Sequence, residues 1–147
     1  MTRLVNITGV IAMSVLFLPG LVRGDDKDVI EYREHIMNTL NEQAAALGLI
    51  LATTIPDDNA AAHLEALALT ARTALRAFEA NVPGGEAKPE IWSNWPDFSK
   101  RMNEFVQNMS EATKTAKEKG NDAALSDILD KLTCKGCHEI YRNEKKK

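Results

Sequence analysis

The chain has 147 residues, about one domain's worth, with 44% hydrophobic and 27% charged residues and a formal charge of −3. That length buries a single core, and the mild acidity makes the chain a poor partner for nucleic acid, so no nucleic-acid interface is expected. Only 5 Pro and 8 Gly, with no β-branched run of period two, point to an all-α fold.

The first 24 residues have the layout of an export signal. Arg3 is the basic start, Leu4 to Leu18 is largely apolar, and Val22-Arg23-Gly24 precedes Asp25-Asp26. The apolar stretch is shorter than the ~20 residues of a spanning helix, which favours a cleaved signal peptide over an anchor. The expectation is a signal peptide over 1–24, cleavage near Gly24, a folded domain over 25–147 and a periplasmic location. Removing Arg3 and Arg23 takes the formal charge from −3 to −5.

Four segments then carry helical spacing. The first, from about Asp28 to Leu51, places Arg33, Met37, Leu40, Ala44, Leu47 and Leu51 on one stripe, widened by Ile36, Gln43 and Ile50. Thr53-Thr54-Ile55-Pro56 breaks it, and Asp57 or Asp58 offers an N-cap for the second. The second runs to about Ala80 along Leu64, Leu67, Ala71, Leu75 and Phe78, and ends at Asn81-Val82-Pro83-Gly84-Gly85. A connection of about a dozen residues follows. Asn94 offers a cap for the third helix, with Pro96 in its first turn. Phe98, Met102, Phe105, Met109, Ala112 and Ala116 form its heptad seam, and Gly120 closes it. Asp122 is the expected cap of a fourth helix that uses Leu125, Ile128, Leu129 and Leu132. Four such helices with mostly short connections predict an antiparallel four-helix bundle. The Lys-rich end at Lys145 to Lys147 is expected to fray.

The chemistry lies at Cys134-Lys135-Gly136-Cys137-His138. On a helix, two thiols three positions apart can each add to one vinyl group of a haem, and the following His projects its imidazole toward the iron from the same side. Three other readings compete. A thioredoxin-like dithiol belongs at a helix start in a β-α-β context. A zinc site needs more Cys or His ligands, and only His35 and His63 remain. A disulfide between these positions closes too small a loop to stabilise much. The expected cofactor is one haem c, covalent through Cys134 and Cys137, with a four-helix bundle around it.

With this motif in the last helix, the chain resembles the cytochrome c prime family, the class II c-type cytochromes. Tyr32-Arg33-Glu34-His35-Ile36-Met37 is similar to that family's first-helix segment. Lys88-Pro89-Glu90-Ile91-Trp92-Ser93 is similar to its connection before the third helix, and Cys134 to Arg142 to its haem segment. The resemblance spans essentially the whole mature chain. It departs at the short first connection, which lacks the family's Gly-containing stretch. It implies that His138 is the proximal iron ligand, that Arg33 contacts a haem propionate and that Arg142 lies beside the haem. A solvated helix face is the plain alternative for each Arg. For Arg33 the apolar stripe argues against it, because an unpaired charge there would be costly; for Arg142 both readings stand.

Met37, one turn after Arg33, carries the main ambiguity. By the resemblance, this position approaches the haem face opposite the proximal His. A Met here is either a sixth iron ligand, giving low-spin iron as in cytochromes of the c-556 type, or a space-filling core residue over five-coordinate iron. Met102, Met109, Phe78, Phe98 and Phe105 fit a haem pocket or a plain core equally well. His35 points about 160° away from Met37 around the helix, and both His35 and His63 read as surface residues. The leading expectation is a periplasmic carrier for electron transport, cycling its iron between ferric and ferrous states with His138/Met37 ligation and an unidentified redox partner protein. The alternative is a high-spin protein that binds the diatomic gases nitric oxide or carbon monoxide. No nucleophile–base pair accompanies the motif, so no enzymatic activity is expected. The resemblance leaves monomer and homodimer both open.

Overall fold

The structure is a computed structural model that describes residues 25–144. The signal peptide read over 1–24 and the Lys145 to Lys147 end lie outside those residues. Helix α1, Asp26–Leu51, starts at a reciprocal cap. Asp25 Oδ1 accepts from the Asp28 amide at 2.9 Å, and Asp28 Oδ2 accepts from the Asp25 amide at 3.2 Å. Two acidic residues in the first turn also complement the helix dipole. The helix ends where Thr53 takes φ 55° and the Thr54 amide donates back to the Leu49 carbonyl at 3.0 Å.

Pro56 then directs the chain into a tight turn over Asp57–Asn59 rather than straight into helix α2, Ala60–Ala77. The expected cap by Asp57 or Asp58 is therefore absent; both lie inside the turn, and the Asp57 carbonyl accepts from Asn121 Nδ2 at 2.8 Å. α2 buries Leu64 and Leu67 along with Ala60, Ala68, Ala71, Ala74 and Ala77. That small-residue face lets it pack against both α1 and helix α4, Trp95–Lys119.

Between α2 and α4, Gly84 (φ 141°) and Gly85 (φ 59°) bring the backbone against α1. A Cβ on Gly84 would sit 2.5 Å from Ile30 Cδ1. The connection also contains a one-turn helix α3, Glu90–Ser93, too short to register as a period. Trp92 Nε1 donates from it to the Phe78 carbonyl at 2.8 Å. Asn94 precedes α4 without a side-chain cap; its Nδ2 donates instead to Tyr141 Oη at 3.3 Å. The whole expected seam of α4 is buried, from Phe98 to Ala116.

The fourth helix is not continuous. It is divided into α5, Asn121–Leu125, α6, Ile128–Lys131, and α7, Cys134–Tyr141. Asp122 lies within α5 rather than capping it. Ser126 and Asp127 are weak helix formers, and the Ser126 hydroxyl donates back to the Ala123 carbonyl at 3.1 Å. Leu132, at φ −80° and ψ 74°, makes the second break. The breaks leave Leu129 72% exposed instead of in the core, while Ala124 and Ile128 are buried.

The bundle interior has two layers. Leu47, Leu64, Leu67, Met109 and Ile128 centre the first; Ile36, Phe78, Ile91, Phe98, Met102 and Tyr141 form the second. Cys137 packs against the second, which places the motif at that end of the bundle. Among the described residues no helix is long and apolar enough to cross a membrane.

Candidate functional site

A cavity of about 650 Å³ opens beside the second layer, within the usual size range of ligand pockets. Its walls come from α1 (Arg33 and Met37), α4 (Phe98, Arg101, Met102 and Phe105), and the Cys134-to-Arg142 segment with both cysteines and His138. All six candidates read from the sequence, Cys134, Cys137, His138, Arg33, Met37 and Arg142, line this one cavity. A second depression of about 620 Å³, between Ile50, Pro56 and Leu125, includes none of them.

α7 carries the two cysteines, and burial pushes both thiols above their ordinary pKa. Burial, aided by the Arg142 charge, lowers the His138 pKa below its usual value, against an opposing effect of Glu86. The shift favours the neutral imidazole, the form that binds a metal. Arg142 caps α7, with Nε 3.9 Å from Glu86 Oε2. Backbone bonds fix the segment beside it: the Lys88 amide donates to the Tyr141 carbonyl at 3.1 Å, and the Asn143 amide to the Glu86 carbonyl at 2.8 Å.

Arg33 is 3% exposed. Its guanidinium lies 5.2 Å from the Phe78 ring centroid and 5.3 Å from that of Trp92, and Nη2 donates to the Val82 carbonyl at 2.6 Å. Burial lowers its pKa, partly offset by Glu34. Nη1 is buried with no hydrogen-bond partner. A buried, unsatisfied cationic donor in a cavity wall fits an anionic group on the cavity's occupant. Met37 is half-buried and packs against the second layer.

Phe78, Phe98, Met102 and Phe105 belong to the cavity wall, whereas Met109 is plain core. His35 is exposed on α1, 3.7 Å from Glu31 Oε1. His63 departs from the surface reading: it is half-buried, and its Nδ1 lies 2.8 Å from Gln43 Oε1 across the α1–α2 contact. Among the described residues no three His, Cys, Asp or Glu side chains gather as a metal-binding group.

Sequence reasoning did not single out Asp97, Arg101 and Tyr141. Arg101 Nε and Tyr141 Oη both donate to Asp97 Oδ2, each at 2.6 Å. Those bonds, Arg101 first, hold the Asp97 carboxyl below its usual pKa, and Asp97 raises that of Arg101. Burial, then Asp97, pushes Tyr141 up to about 12. The i,i+4 spacing of Asp97 and Arg101 was visible in the sequence; the Tyr141 partner, 44 residues away, was not.

A neutral imidazole, two adjacent thiols and a largely apolar cavity with one orphaned guanidinium nitrogen define a c-type haem protein built on a helical bundle. A family model described as Cytochrome C' matches residues 28–142. A curated relative, cytochrome c′ of Alcaligenes xylosoxydans xylosoxydans, is 27% identical over 124 residues, covering 81% of this chain and 96% of the relative. Among solved structures, a ferrous variant of cytochrome c prime from Alcaligenes xylosoxidans with bound NO superposes with a TM-score of 0.71 at 25% identity. The match covers 84% of this chain and 99% of that one. A carbon monoxide-bound variant from the same organism gives a TM-score of 0.70 at 25% identity, covering 82% of this chain and 98% of that one. The chain belongs to the cytochrome c′ family, and its cofactor is one haem c attached through Cys134 and Cys137.

Proposed function

We propose that this protein is a periplasmic haem c protein that takes up nitric oxide or carbon monoxide at five-coordinate iron, without catalytic turnover. The observation that carries this reading is the setting of Met37, half-buried against an apolar layer in the wall of the cavity that holds His138. The gas-bound structures of relatives support it. When bound, the haem supplies an iron with an open coordination position and a one-electron redox couple. Cys134 and Cys137 hold it covalently, and His138 offers its neutral imidazole as the proximal ligand. Arg33 would pair with a propionate, and Arg142 would flank the haem. Met37, Phe98, Met102 and Phe105 exclude water and restrict access to small, weakly polar ligands.

The second reading is electron transport to a redox partner, with the Met37 sulfur as sixth ligand. It is supported by the presence of a competent thioether in the cavity wall. Carbon monoxide titration of the reduced holoprotein, wild type and Met37→Ala, separates the two. The gas-binding reading expects the wild type to bind readily and the variant to bind faster because the wall is lowered. Truncation should also cost roughly 2 kcal/mol, the low end for a core Met. A wild type inert to carbon monoxide beside a variant that binds it would favour the methionine-ligated reading instead.

A further inference from the structure

Tyr141 lies three residues beyond His138 on α7, so the two side chains share one side of that helix. α7 has eight residues and is separated from α6 by the break at Leu132. Helix continuity therefore does not set its rotation about its own axis. Contacts with Glu86 and Lys88 hold its C-terminal end, and the contacts on its inward side gather at Tyr141. Its ring is 3% exposed and meets Phe98 edge-on at 5.3 Å. Its hydroxyl donates to Asp97 Oδ2 at 2.6 Å and accepts from Asn94 Nδ2 at 3.3 Å. Its backbone carbonyl accepts from the Lys88 amide. The carboxylate is itself held, because Oδ2 also accepts from Arg101 Nε one turn further along α4.

We propose that Asp97 and Tyr141 form a positioning pair, in which the phenol–carboxylate bond sets the rotation of α7 and so the orientation of the His138 imidazole in the cavity. The proposal rests on His138 being the iron ligand. A bond serving only cohesion would work on any inward turn of the last helix. This one falls on the turn that follows the ligand, and Tyr141 and Cys137 pack into the same core layer. A rotation of α7 large enough to break the bond would carry Cys137 and His138 with it.

The haem-loaded wild type and Tyr141→Phe differ only in the hydroxyl, so the ring packing survives. In the ferrous protein, the iron–histidine stretching band in resonance Raman spectra should shift and broaden in the variant. Amide hydrogen exchange across 134–141 should accelerate roughly tenfold to a hundredfold, as for loss of one hydrogen bond to a charged acceptor, with α2 unaffected. Asp97→Ala should reproduce both effects and add nothing to Tyr141→Phe, and Asp97→Glu should move the band back toward wild type. An unmoved band accompanied only by lower stability would reduce the pair to cohesion and overturn the proposal. Unchanged exchange across 134–141 would overturn it as well. Absence of an iron–histidine band in the wild type would defeat five-coordinate iron rather than His138 ligation, and the exchange across 134–141 in Tyr141→Phe would then decide the pair alone.

Discussion

Arg33 is an unusual residue to find on the inward stripe of α1. A guanidinium taken out of water costs several kcal/mol unless its donors are met. The Val82 carbonyl meets one, and the Phe78 and Trp92 rings supply the rest of its surroundings as π faces. Nη1 is left without a partner, and the proposed function gives it a propionate. Arg33→Leu should therefore have two separable effects. The bond and the cation–π contacts together should remove roughly 2–3 kcal/mol of stability, read by urea denaturation of the holoprotein. The reduction potential should also move, because a buried positive charge beside the haem is gone. Arg33→Lys should restore much of the potential, because it keeps the charge, but not the stability, since an ammonium lacks the planar fork that spans the two rings and the carbonyl. Met37 poses the opposite problem: its spacing on the stripe and its thioether permit two roles, and no periodicity chooses between them.

At the scale of elements, the three long helices were legible because each repeats its apolar positions over five or more turns, and the α4 seam is buried as read. The divided fourth helix was not. Ser126 and Asp127 are each tolerated singly in helices, and the bond from the Ser126 hydroxyl back to the Ala123 carbonyl that accompanies the break has no signature in the apolar spacing. The one-turn α3 has no period to read. That six named residues line one cavity was legible because the attachment motif supplies three of them and the family resemblance the others. The Asp97–Arg101–Tyr141 network was not, because it joins side chains 44 residues apart. The connection before α3 owes its path to Gly84, where φ 141° strains any side chain and a Cβ would have to displace the Ile30 Cδ1 methyl, 2.5 Å away. Gly84→Val should cost roughly 2–4 kcal/mol, from backbone strain and overpacking together. Thermal unfolding of the holoprotein measures it, and loss should begin at the Glu86 and Lys88 bonds that hold α7.

Over the whole molecule, the bundle separates stability from chemistry. The layer around Leu64 and Met109 is apolar and reaches the cavity only at its near side through Leu67 and Phe105, while the layer around Phe98 and Tyr141 borders it directly. Covalent attachment ties the cofactor to the least continuous helical segment. Replacing Cys134 and Cys137 with Ala should leave the polypeptide mass free of haem in denaturing mass spectrometry, whereas the wild type should carry the mass of one haem. The signal-peptide expectation over 1–24 belongs to the same measurement: a mature mass starting at Asp25 agrees with it, and a retained Arg3 segment contradicts it.

An iron with one face open to a gas would be read in the ferric spectrum. Electron paramagnetic resonance and near-infrared absorption of the purified ferric holoprotein at neutral pH should show high-spin iron and no sulfur-to-iron charge-transfer band. A low-spin signal with that band, lost on Met37→Ala, would contradict the gas-binding account and return the protein to methionine-ligated electron transfer.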